Sequence, residues 1–161
     1  MFDYQIELIW QGLLGAEIRA AYFGELSHRL LRTQRLLTLA SLLLSSGAGV
    51  SLLTSVPTQY SWIKPAMAFL AAGISLWSLV AKNERGSIDA ADLHLRWNKL
   101  AMGYGDLWAN VHIDRAAEQL AKLRDQEADI SKSSTAMPDK KSLMLKCQEN
   151  ILMHHQHQLA A

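Results

Sequence analysis

Three histidines stand close together near the end of the chain, in "ILMHHQHQLAA": His154, His155 and His157. A metal site built on a helix needs ligands one turn apart, with further Cys, Asp or His groups close by. These three offer no i, i+4 pair and no such neighbours, so no metal is expected. The acids of the later chain, such as Asp114 and Glu118, are spaced four apart and read as solvated surface pairs. No glycine-rich phosphate loop, nucleophile elbow, HExxH or CxxC pattern occurs. The chain therefore reads as a non-enzyme without a cofactor. What remains is a row of cations: Arg29, Arg32 and Arg35, sharing a helix face with Glu25 and His28. Such a row meets anionic lipid headgroups or holds a phosphate-rich ligand.

The elements that must carry these residues follow from how charge is distributed. The chain has 161 residues, enough for one domain with a real core, and a formal net charge of +1. That balance argues against a duplex-binding protein, which would show a clear excess of Lys and Arg. The single cysteine, Cys147, excludes an internal disulfide framework and reads as a small apolar filler. Hydropathy is uneven, with apolar residues concentrated between 36 and 81.

After Arg35 no charge appears until Lys64. The first apolar block, Leu36 to Val56, would reach about 32 Å as a helix, matching a hydrocarbon core. After "PTQYSWIKP", a second block runs from Ala66 to Ala81 and lengthens to a span with Trp62, Ile63 and a snorkelling Lys64. Two spans and a tight turn make a transmembrane helical hairpin. Arg29, Arg32 and Arg35 precede it, and Lys82 and Arg85 follow, so the positive-inside rule puts both termini in the cytoplasm. Tyr60, Trp62 and Trp77 take interfacial positions. Nothing suggests a cleaved signal peptide.

At 100° per residue, Thr38, Ser41, Ser45, Ala48, Gly49 and Ser55 gather on one side of the first span, opposite Leu36, Leu39, Leu42, Leu43, Val50 and Leu53. The leucine side suits lipid. The other suits close helix packing or a wetted pore lining, and Ala68, Ala72 and Ser75 repeat the theme in the second span. Neither span carries an internal charge, so a proton relay is not expected.

Residues 1–35 read as an amphipathic and juxtamembrane helix, with Gly12 and Gly15 as points of weakness or bending. It would lie on the membrane or pack against the cytoplasmic part. Residues 36–81 form the hairpin. Residues 87–161 form a cytoplasmic helical region, in which Gly86 breaks the chain and Ser87 or Asp89 caps a new helix running to about Ala128. Leu93, Trp97, Leu100, Tyr104, Leu107 and Val111 alternate four and three, a heptad seam for an oligomer or for the N-terminal helix. If continuous, this helix would project about 60 Å. "DISKSSTAMPDKKS" is then a polar linker and the remainder a short final helix.

The fold class is thus all-α: a two-span hairpin, an N-terminal amphipathic helix and a long cytoplasmic helix, oligomeric. In this arrangement the chain resembles the SLATT-type two-transmembrane effectors of bacterial defence systems. "IRAAYFGELSHRLLRTQRLLTLASLLLS" is similar to that family's entry to its first span through Arg19, Tyr22, Phe23 and Leu26. "LHLRWNKLAMGYGDLW" is similar to its stretch after the second span through Trp97, Leu100, Tyr104, Leu107 and Trp108. The likeness covers roughly residues 17 to 111 and rests on loose hydrophobic patterns. It implies a pore-forming effector in the bacterial inner membrane, opened by a nucleotide or oligonucleotide signal, with a nucleotidyltransferase encoded nearby. Opening would disrupt the membrane of an infected cell, as in abortive anti-phage defence. Two spans cannot enclose a channel, so several copies, a tetramer for instance, are expected. By charge and helical position, the expected contacts to the anionic ligand are Arg29, Arg32, Arg96, Lys99, Lys122 and Arg124. The competing readings are a passive membrane anchor that recruits a partner through its cytoplasmic helix and a soluble helical binding protein in which the apolar hairpin is buried.

Overall fold

A computed structural model describes residues 3–45, 62–80, 83–112 and 115–160. Every element among them is helical: α1 (Asp3–Ser45), α2 (Ile63–Val80), α3 (Asn83–Ala109), α4 (Ala116–Ser134) and α5 (Lys141–Ala160). The chain divides into two compact units. One comprises Met1–Ser27 with Ile88–Ala161, the other His28–Ser87. The N-terminal helix thus shares a unit with the C-terminal region.

In the first unit α1 touches the other three helices. Its apolar positions Ile9, Leu13, Ala16, Ala20, Tyr22, Phe23 and Leu26 are all buried. Against α3, Gly12 receives the ring of Tyr104, and the His94 Nδ1–H donates to the Ala20 carbonyl at 2.7 Å. Against α4, the Arg19 guanidinium meets the Glu127 carboxylate at 3.2 Å. Against α5, Glu17 accepts from the His155 Nε2–H at 2.6 Å, and Trp10 packs edge-on to the His155 ring. α1 runs through Gly12 and Gly15 as one helix, with no separate short N-terminal helix. The fit of the Tyr104 ring at Gly12 needs the absence of a side chain there, because a bulkier residue would hold α3 away.

The expected cytoplasmic stalk is corrected by the turn at 110–112. The Asn110 side chain donates to the Asp106 carbonyl at 2.8 Å, a local bond that competes with helix continuation. α4 then runs back along α3: Trp97 Nε1–H donates to Ser134 Oγ at 3.2 Å, and Leu123 sits on Gly103. The two halves of the supposed stalk are each other's partners. The expected break at Gly86 is also corrected, since α3 begins at Asn83 and passes through Gly86, with the Ser87 hydroxyl donating to the Glu84 carbonyl at 2.7 Å. The polar linker is shorter than expected. Residues Asp129 to Ser134 belong to α4, where the Ser133 and Ser134 hydroxyls donate back to the carbonyls of Asp129 and Ile130. The connection to α5 is pinned by Tyr22, whose O–H donates to the Pro138 carbonyl at 2.6 Å while its oxygen accepts from Lys140 N–H at 3.1 Å.

The second unit holds the later part of α1, α2 and the start of α3. Leu30 approaches the backbone of Gly86. Among the unit's described residues, Leu36, Leu39, Leu42, Leu43, Trp62, Phe69, Leu70, Leu76 and Trp77 are exposed.

Candidate functional site

Along α1 in the second unit, Arg29, Arg32 and Arg35 are exposed, and directly after them Leu36, Leu39, Leu42 and Leu43 are 58–70% exposed. On α2, Phe69, Leu70, Leu76 and Trp77 are 60–79% exposed, and Trp62 just before it is exposed too. Burying one such side chain is worth about 1.5–3 kcal/mol, so this surface is far from a free-energy minimum in water alone. Rows of exposed large apolar side chains along a helix mark a lipid, partner or ligand surface.

The residues expected to line a pore or pack helices are distributed as follows. Thr38 is exposed, its hydroxyl donating to the Gln34 carbonyl at 3.0 Å, and Ser41 is half-buried. Ala72 is exposed, and beside it a β-carbon on Gly73 would meet open space. Ser45 ends α1, and Ala68 and Ser75 lie in α2. Ala48, Gly49 and Ser55, with most of the first apolar block and Tyr60, lie outside the described residues. No helix among the described residues is long and apolar enough to cross a membrane. α2, at 18 residues, reaches about 27 Å, a little less than a hydrocarbon core, and opens with Lys64 and Pro65.

Of the two partners expected for the seam, the N-terminal helix is the one it meets, and its reading as an oligomer contact is corrected. Leu93, Trp97, Leu100, Tyr104 and Leu107 are at most 5% exposed within a single chain, and Val111 sits half-buried in the turn. Their heptad spacing reflects packing inside the first unit, chiefly on α1 and α4, and leaves none of their surface for a second copy.

The expected anion contacts that fall in the first unit are not gathered in one place. Arg96 is held by Asp92 at 2.8 Å and Lys122 by Glu118 at 2.8 Å, both i, i+4 pairs on the surface. The hydrogen bond from Lys122, helped by its charge, lowers the pKa of Glu118. Lys122 lines a cleft with Asp106 and Asn110, whereas Arg124 lines a different one with Tyr4, Leu8 and Leu120. Lys99 is exposed on α3, and Arg29 and Arg32 belong to the other unit.

What sequence reasoning missed is a cluster around Glu127. Its two carboxylate oxygens accept from Arg19 at 3.2 Å and from the Tyr104 O–H at 3.0 Å. Arg19 also lies over the Trp97 ring, 4.7 Å from its centroid. Burial, and then the neighbouring Glu127 charge, push the Tyr104 pKa well above the ordinary phenol range, so the ring stays a hydrogen-bond donor. Beside the cluster, Arg19, Tyr22, Phe23, Trp97, Pro138 and Met144 are among the residues lining a cleft of about 280 Å³. Arg19 and Trp97 were visible in the sequence as a basic and an aromatic residue, but their pairing across 78 positions left no local signal. The three histidines play separate parts: His155 anchors α5 on Glu17, while His154 and His157 are exposed. No group of three metal-ligating side chains occurs among the described residues.

No family model, curated protein or solved structure matches this chain.

Proposed function

We propose that the chain is an oligomeric membrane effector: its apolar helices enter a bilayer, several copies line a pore, and an anionic nucleotide or oligonucleotide acting on the helical unit opens it. One observation carries the reading. Leu36, Leu39, Leu42 and Leu43 on α1 and Phe69, Leu70, Leu76 and Trp77 on α2 lie open, and the row on α1 begins directly after three exposed arginines. That order, cations and then uncharged apolar side chains, suits the boundary between headgroups and hydrocarbon. The resemblance to SLATT-type effectors supports the pore and the signal, and with them a place in anti-phage defence at the bacterial inner membrane. Gating requires the ligand to bind open and closed assemblies unequally.

The test begins with carbonate washing of membranes, in which the chain stays with the pellet. Reconstituted into vesicles, it then releases an entrapped dye on addition of a cyclic dinucleotide, a cyclic trinucleotide or a short oligoadenylate. Retention in the aqueous fraction sinks the membrane reading. Retention in the pellet with no release under any of these probes sinks the gated pore.

The second reading, a membrane anchor that recruits a partner, is favoured by the ion pairs that already occupy Arg96 and Lys122. An anchor keeps its function when Ser41 becomes leucine. A pore changes its conductance.

A further inference from the structure

The outer face of α3 repeats the spacing of its inner face. Ile88, Leu95 and Met102 are spaced seven apart and are 63%, 65% and 58% exposed, although each is a large apolar side chain. They lie about 200° around the helix from Leu93, Leu100 and Leu107, since residues two apart differ by two steps of 100°. Alternating with them on the same stripe stand Ala91, Asn98 and, after Met102, Gly105. Ala91 and Gly105 are small, and a β-carbon on Gly105 would meet nothing within 4 Å, so another backbone can come close there. The stripe reads as alternating positions of a two-stranded coiled coil with a single Asn in the seam, the residue type that sets register at some expense in stability.

We infer that this stripe is the contact between two copies of the chain, paired antiparallel through α3. The inference rests on the oligomeric part of the proposed function and moves its seam from the buried face to the exposed one. Direction follows from charge. Beside the stripe, on one flank, stand Asp92 and Lys99, one heptad apart and both exposed. When the helices run oppositely, with Leu95 against Asn98 of the second copy, this flank faces itself, and each Asp92 comes opposite a Lys99. The Asp92 carboxylate keeps an oxygen for this, as Arg96 holds only Oδ2. A parallel pair would set Asp92 and Lys99 against Ser87 and His94, which offer no matching charges. Ile88 of one copy then packs over Gly105 of the other, a large residue against the open one.

The experiment uses the full chain in mild detergent, with Cys147 replaced by Ala. Ile88→Cys chains and Gly105→Cys chains are oxidised separately and mixed. Antiparallel pairing gives a disulfide dimer in the mixture and little in either separate sample. Strong cross-linking of Ile88→Cys alone means parallel pairing and overturns the proposal. Absence of any dimer overturns it too. Independently, Lys99→Asp should weaken self-association roughly tenfold by sedimentation, as two rim pairs become repulsive, and Asp92→Lys with Lys99→Asp should restore it. Apart from the buried Cys147, where alanine is a small apolar replacement, these side chains are exposed or, at Gly105, have room, so circular dichroism should report unchanged helix content. If Leu95→Asp leaves the oligomer intact, copies associate elsewhere and the stripe is not their contact. Membrane retention under carbonate is read on the same variants and is unaffected, which separates failure of this pairing from failure of the membrane reading.

Discussion

The ring of Tyr104 lies where a side chain on residue 12 would stand: a β-carbon built on Gly12 comes within 2.6 Å of it. That approach sets the distance between α1 and α3, and with it the position of the Tyr104 hydroxyl against Glu127.

Gly12→Ala should therefore destabilise the helical unit by about 1–3 kcal/mol, the range for forcing extra volume into a packed core. Gly15→Ala meets only the end of the Arg19 side chain, at 3.5 Å, and should be neutral or stabilising by up to about 1 kcal/mol through helix propensity. Thermal unfolding followed by circular dichroism compares the two. Equal melting temperatures would show that the ring can move aside freely.

Tyr104→Phe removes one of two donors from the Glu127 carboxylate and should cost about 1–2 kcal/mol. Its effect on pH dependence has a definite sign. The folded state holds the phenolic proton more tightly than the unfolded chain, so the contribution is complete below the ordinary phenol value of about 10 and is lost as pH rises above it. Denaturant titrations at pH 8 and pH 11 should show a steeper alkaline loss in the parent protein than in Tyr104→Phe. Parallel losses would exclude Tyr104 as the source.

Tyr22→Phe releases both bonds that hold the α4–α5 connection, to the Pro138 carbonyl and from the Lys140 N–H. Cleavage within residues 135–140 under limited proteolysis should quicken about tenfold, in line with about 1–2 kcal/mol of lost local protection. Unchanged cleavage would mean that the turn is held by packing alone.

Leu42→Arg puts a charge into the exposed leucine row. If that row faces lipid, the substitution costs about 3 kcal/mol or more at the centre of a span, and the membrane-bound fraction should fall in a flotation assay. Thr38→Leu, one of the hydroxyls on the opposite side, should leave that fraction unchanged. A Leu42→Arg chain that floats like the parent would place the row outside the bilayer.

His155→Leu keeps much of the packing on Trp10 but leaves the Glu17 carboxylate, 30% exposed, without its donor. It should cost about 1 kcal/mol, and faster hydrogen exchange should be confined to α5. Uniform exchange changes across the whole unit would show that α5 does not open separately.

The amino-acid sequence by itself determined that the chain is helical and where its polarity changes. Long apolar rows at helical spacing, few prolines and the charge-free stretch after Arg35 are local properties, and local properties survive without knowledge of the fold. The amphipathic character of the N-terminal segment was legible for the same reason, as was the importance of Trp97 and Tyr104. Partnership was decided only by the tertiary structure. Periodicity reports the angle at which apolar groups leave a helix, not what they meet. α3 carries two apolar rows of equal spacing on opposite faces, and nothing local distinguishes the one packed inside the chain from the one left open. The turn at 110–112 left only a trace in the sequence, a phase shift of Ile113, Ala117, Leu120 and Leu123 that also fits a bend near "MGYGDLW" or a register skip, and the full reversal follows because α4 finds its burial along α3. Arg19, Trp97, Tyr104 and Glu127 meet for a related reason: the segments bearing them reach the same place only after three helices have packed.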